Sequence, residues 1–319
     1  MTALGLPTPD NAALSMTTAW MGSHYYRTFR LASEPHEHFD AMMMQRERLI
    51  GVTIGHLWDE DATAIDHEFA SLLASDTEND ASYAVWLPPG AVIPTDEPAR
   101  SQLRVLLTAG MSGLESGERR EVRIPVALKL AKIQEDGAYI SVTGELSSAW
   151  TTMSEGIKGS FHLDSRPIHR LPEEPAELEI ILSRIRDRAA LLNLEEYTEV
   201  HVHDYWLVSR LPSNDLAGVT IIGAPPEIDP RDGVPIRRSF RRAVNRSIEQ
   251  QKTGLSDLSV LVLIGALSHI DDELVTAALK GMNPATYGSI DLIVLTAAGS
   301  VRQILQPRSL PWEQPKTTS

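Results

Sequence analysis

The sequence predicts an α/β (or α+β) protein, with a mixed central sheet and flanking helices in its C-terminal half and a strand hairpin plus helices in its N-terminal half. Three observations carry this. Residues 258–264 (LSVLVLI) and 290–295 (IDLIVL) are near-continuous apolar runs, the composition of strands covered on both faces. A capped helical pattern between them has the length of a right-handed crossover. Val122, Ile124, Val126, Leu128 and Leu130 alternate up to the turn pair Asp136-Gly137, after which 139–146 returns.

Composition sets the outer limits. The chain has 319 residues, enough for two domains at roughly 100–200 residues each, placed at 20–160 and 165–306 with flexible tails at 1–19 and 307–319. It has no cysteine, which excludes disulfides, thiolate metal sites and cysteine nucleophiles. The first twenty residues lack a basic leader and an apolar core, and no run approaches the roughly 18 apolar residues of a membrane helix, so a cytoplasmic protein without membrane contact is expected. The net charge of −14 opposes nonspecific nucleic-acid binding, whose affinity comes from lysines and arginines displacing counterions. Residues 1–160 carry 22 acidic and 12 basic side chains and the remainder 21 and 17, so any polyanion contact is expected in the second half.

Along the first half, 24–31 (HYYRTFRL) reads as a strand. Phe39, Met42, Met43, Arg46, Leu49 and Ile50 then recur at helical spacing after Pro35, with Arg46 at the edge of the stripe pointing outward. Residues 59–80 hold eight acidic side chains and no lysine or arginine, with Ile65, Phe69, Leu72 and Leu73 as a helical stripe; Asp61, Asp66 and Glu68 read as a solvated face rather than a cation site. Short apolar runs at 83–87 and 103–109 precede the hairpin. Pro125 places its first strand at an edge or bulge, and 150–175, with Pro167, Pro172 and Pro175, reads as a boundary.

In the second half Pro175 opens a helix with Leu178, Ile181, Leu182, Ile185, Ala189 and Leu192 as its stripe. Residues 199–210 (EVHVHDYWLVSR) follow as a strand: Val200, Val202, Asp204, Trp206 and Val208 share one face, His201, His203, Tyr205 and Leu207 the other. Asp204 thus stands in an apolar row, where a carboxylate must be hydrogen-bonded, paired or protonated; it is the candidate catalytic residue. His201 and His203 project together as a candidate metal pair, with His162, His169, His269 or Asp271 as possible third ligands. No cofactor is expected, a divalent ion being the alternative. Residues 218–223 (GVTIIG) form a strand before Pro225 and Pro226, without a phosphate-loop lysine or a dinucleotide fingerprint. A helix from Ser239 turns Phe240, Val244 and Ile248 inward and carries Arg238, Arg241, Arg242 and Arg246 outward, with Arg237 before it. Five arginines in ten positions are the one basic concentration, suited to an anion or an acidic partner. Ser268 and Asp271 cap the crossover helix, which ends at Gly281; capping also accounts for the Ser-His-Ile-Asp sequence there.

The order helix, strand with Asp204, then further strands resembles the restriction-endonuclease-like fold. That resemblance implies a metal-dependent nuclease or phosphodiesterase with Asp204 as the first acidic ligand. No downstream strand supplies the Glu-x-Lys of that family, and Gln250-Gln251-Lys252 lies at a helix end. The function expected first is therefore an intracellular protein-interaction or assembly protein without catalysis, binding a protein partner or a second copy of itself through the 238–246 helix; the nuclease is the alternative.

Overall fold

The computed structural model describes residues 7–32, 36–58, 66–77, 80–212, 217–223, 233–265 and 287–312. They form a mixed α/β fold with two six-stranded sheets. Its first half runs α1 (Pro9–Tyr25), β1 (Arg30–Leu31), β2 (Ala41–Gln45), β3 (Arg48–His56), α2 (His67–Ser75), β4 (Ser82–Trp86), α3 (Ala99–Met111), β5 (Arg119–Gln134), β6 (Ala138–Gly144), α4 (Trp150–Ser154) and β7 (Gly159–Ser165). The second continues with α5 (Pro175–Leu191), β8 (Tyr197–Arg210), β9 (Gly218–Ile222), α6 (Gly233–Gln251), β10 (Leu258–Gly265), β11 (Leu292–Ala297) and β12 (Ser300–Leu305). Two compact units result, one of residues 1–92, 111–120 and 208–319, the other of 93–110 and 121–207. Among the described residues no helix is long and apolar enough to cross a membrane. The crossover helix expected at 268–280, with Ser268, His269 and Asp271, and the positions of Pro35, Asp61, Ile65, Pro225 and Pro226, lie outside the described residues.

The first unit is centred on a sheet of order β1-β2-β3-β10-β11-β12. As the apolar runs imply, β10 and β11 are parallel and β12 returns antiparallel at the edge. β3 lies parallel on the other side of β10. Leu261, Leu263, Ile293 and Leu295 pack with Ile236, Phe240, Ala243 and Val244 of α6. The alternate residue Thr296 meets Thr17 of α1 through a 3.3 Å hydroxyl contact, so α1 and α6 cover opposite faces. β4 and β9 form a parallel pair, and Trp86 Nε1 donates to Ser209 Oγ at 2.9 Å at the end of β8.

Three sequence expectations change in this unit. Where a mobile leader and a strand over 24–31 are expected, α1 forms: Pro9 sits in its first turn, Thr8 Oγ1 accepts the Asn11 N–H, and Tyr26 stops it in a left-handed conformation. Alanines 12 and 13 are buried small residues with no periodic stripe to announce them. Where a helix over 36–50 is expected, β2 and β3 form an antiparallel hairpin with Met43 opposite Ile50 and Gln45 opposite Arg48. Dense apolar residues satisfy helical and strand spacing alike there, and the left-handed Arg46 (φ 57°) makes the tight turn. The tail from 307 is not loose as far as 312: Trp312 is only 7 % exposed, its ring 5.2 Å from that of Phe29 and 5.9 Å from that of Tyr25. An aromatic residue buries enough area to anchor a short terminal segment.

The second unit holds four neighbouring strands in the order β6-β7-β5-β8. The expected hairpin over 121–148 is corrected here. Both strands and the Gly137 turn exist, but β7 inserts between them, antiparallel to β5 and parallel to β6. A turn pair fixes chain reversal, not the neighbouring strand; Phe161 and Leu163 of β7 supply the apolar side chains that bridge Leu128 and Leu130 to Ile140. The segment read as a boundary, 150–175, thus contains α4 and β7, and the apolar run at 103–109 lies in α3. α5 forms as its Pro175 start implies, with Ile181, Leu182, Ile185 and Ala189 closing the core over Val200 and Val202 of β8.

Candidate functional site

The densest polar constellation in the second unit is organised around Asp204. Val200, Val202 and Tyr205 of β8 belong to one core cluster with α5. Asp204, 2 % exposed, does not face α5 but the segment 168–170. Its Oδ1 accepts the backbone N–H groups of His169 (2.9 Å), Arg170 (2.9 Å) and Tyr205 (3.0 Å). Its Oδ2 accepts Trp206 Nε1 at 2.9 Å and lies 2.9 Å from His169 Nδ1. A carboxylate offers about four lone-pair positions. Five donors occupy them, so the geometry makes Asp204 a lock holding 168–170 against β8 rather than an open metal ligand or base.

The adjoining side chains are paired in turn. Arg170, 7 % exposed, donates Nη1 to Glu121 (2.6 Å) and Nη2 to Glu173 (2.7 Å). Arg123 pairs with Glu177 at 2.5 Å, and Tyr205 Oη donates to the other Glu177 oxygen at 3.2 Å. Burial, then the Glu177 contact, pushes the Tyr205 phenol up to about 12. The folded state thus keeps a proton that an unfolded tyrosine, at about 10, has released. The stability that Tyr205 contributes is complete below pH 10 and is lost as pH rises toward 12. An ultraviolet titration is expected to show one late-ionising tyrosine, brought down by Glu177→Gln; coincident ionisation of all seven tyrosines while the chain is still folded contradicts this.

His201 is exposed and His203 half-buried on β8. Burial and then the nearby Arg123 and Arg184 lower the His203 proton affinity, and the same two guanidiniums oppose a cation beside it. His169 is engaged by Asp204, and His162 Nδ1 lies 3.0 Å from Ser141 Oγ, so neither joins the pair. Among the described residues no three histidine, aspartate or glutamate side chains are grouped to hold a metal ion.

No protein-family model, characterised protein or solved structure matches the chain.

The arginine helix belongs to the first unit, Asp204 and His203 to the second. α6 begins at Gly233, six residues ahead of the expected Ser239 start, so Arg237 and Arg238 are helical too. All five arginines are exposed, on the side opposite buried Ile236, Phe240, Ala243 and Val244. Arg246 is committed within the unit: its Nη2 donates to Asp40 Oδ2 at 2.7 Å and to the Ile54 carbonyl, while Asp40 also accepts the Ile54 N–H at 2.7 Å. Arg237, Arg238, Arg241 and Arg242 are exposed along the same helix and form its outward basic face. Sequence reading passes over Arg170, whose position between Pro167 and Pro172 carries no motif, and over Arg27, Arg30 and Gln45, which border a cleft beside Arg46.

Proposed function

We propose that this chain is a non-catalytic interaction protein that binds an acidic stretch of a partner protein through α6. The observation that carries the reading is the exposed face of Arg237, Arg238, Arg241 and Arg242 on a helix whose other side is core. Side chains three and four positions apart on a helix lie about 5–6 Å from one another. That spacing suits carboxylates repeated along an acidic segment, and each guanidinium presents a fork for one of them. In a chain of charge −14 such a face is also the natural place for complementary attraction. A phosphodiesterase centred on Asp204 draws no support from the geometry, because the carboxylate is filled by donors.

The test is binding of poly-L-glutamate by the full chain, followed by calorimetry across salt concentrations. The expected result is salt-sensitive affinity that falls at least roughly tenfold in Arg238→Glu/Arg242→Glu, while unfolding free energy changes by no more than about 0.5 kcal/mol, as exposed substitutions do. Equal affinity of the variant overturns the proposal. Salt-sensitive self-association abolished by the same pair would assign the acidic partner to a second copy.

A further inference from the structure

A second basic feature lies in the first unit, away from the arginines of α6 in sequence. Where α1 ends and the β2–β3 turn closes, a cleft of about 720 Å³ is lined by Gly22, Tyr26, Arg27, Thr28, Arg30, Met44, Gln45 and Arg46. Its volume falls within the roughly 300–1,000 Å³ of small-molecule sites. Three lining residues are arginines and none is acidic.

Their pairing distinguishes this cleft from an ordinary charged surface. Arg27 donates Nη1 to the Tyr26 carbonyl at 3.0 Å, a neutral acceptor. Arg30 and Arg46 make no ion pair among the described residues, in a protein with 43 acidic side chains. Gln45 adds an independent observation: it is only 5 % exposed, it lines the cleft, and its amide has no hydrogen-bond partner among the described residues. That unmatched amide borders the cleft and has its N–H groups available to donate to a ligand oxygen. The carbonyl end of α1 also opens here and contributes about half a negative charge, too little to balance three guanidiniums. Both Tyr26 (φ 54°) and Arg46 (φ 57°) are held in the left-handed region, so the two walls of the cleft are built at conformational cost.

We infer that this cleft binds a soluble phosphate monoester. A phosphate presents enough oxygens to engage three guanidinium forks and an amide together, whereas a carboxylate presents two. Tyr26, 86 % exposed, and Met44 at the rim offer apolar surface for the organic part of the molecule. The site is separate from the α6 face, so either can stand without the other.

The experiment is calorimetric titration and thermal melting of the full chain with inorganic phosphate, phenyl phosphate and benzoate at matched ionic strength. Phenyl phosphate is expected to bind saturably and to raise the melting temperature, with benzoate at least roughly tenfold weaker. Arg30→Gln/Arg46→Gln is expected to weaken phenyl phosphate by roughly ten- to hundredfold, with the unliganded melting temperature unchanged, since neither side chain is paired within the unit. Arg238→Glu/Arg242→Glu is expected to leave this affinity untouched. The inference is overturned if neither phosphate compound binds saturably, if binding survives Arg30→Gln/Arg46→Gln, if benzoate binds as well as phenyl phosphate, or if binding appears only with vesicles of phosphatidylcholine and phosphatidic acid.

Discussion

Asp204→Ala is expected to destabilise the second unit by about 3–5 kcal/mol, the range for removing one partner from a buried charged network. The truncation removes the acceptor shared by five donors: the backbone N–H groups of His169, Arg170 and Tyr205, the Trp206 indole and the His169 imidazole, of which the Tyr205 N–H keeps the Arg170 carbonyl at 3.3 Å. The two side chains can turn to other partners, but the N–H groups of 169 and 170 are fixed by the chain. Loss of the carboxylate therefore also frees the segment carrying Arg170, and with it the pairs to Glu121 and Glu173. Asp204→Asn separates charge from shape. Its amide oxygen can serve the three backbone donors, while its NH2 group confronts the indole N–H of Trp206, so an intermediate loss of about 2 kcal/mol is expected. Urea unfolding provides the free energies, and amide hydrogen exchange at His169 and Arg170 shows where protection is lost. A loss below about 1 kcal/mol in Asp204→Ala would mean that the carboxylate is not the lock described, since an exposed, dispensable aspartate behaves that way.

A carboxylate among Val200, Val202, Trp206 and Val208 marks a buried position on sequence alone, and the structure buries it. What it bonds was hidden, because the donors come from 169 and 170, about 35 residues upstream in a segment resembling a linker. Parallel β10 and β11 were legible because buried strands in an α/β sheet have a distinctive apolar composition. The 36–50 segment was not, since methionines at 42, 43 and 44 fit a helix stripe and a strand equally; what decided it is pairing with β3. The arginines of α6 were found because they are adjacent in sequence. Those of the cleft escaped because Arg27 and Arg30 meet Arg46 only once the hairpin folds back.

The seat of α6 gives the second large effect. Gly55→Ala is expected to cost about 2–3 kcal/mol, although alanine is favoured over glycine in a strand by roughly 0.5–1 kcal/mol through backbone entropy. The sign is decided by space. A Cβ at position 55 would stand 2.4 Å from the Cβ of Ala243 and 3.3 Å from Leu263 Cδ2. Leucine can change rotamer, but the alanine methyl has no torsion by which to retreat, so helix and strand must separate. That separation reaches the cluster in which Phe240, Val244 and Leu263 pack, and lifts the support beneath the exposed arginines. Ala243→Gly alone should cost about 1 kcal/mol from lost helix propensity, plus about 0.8 kcal/mol for a buried methyl group. Combined with Gly55→Ala it removes the colliding atom, so the double variant should be more stable than the sum of the single losses by at least about 1 kcal/mol. A double-mutant cycle in urea measures that coupling. Strict additivity would show that the strand and helix are not in contact at this pair, and the basic face of α6 would then need another foundation.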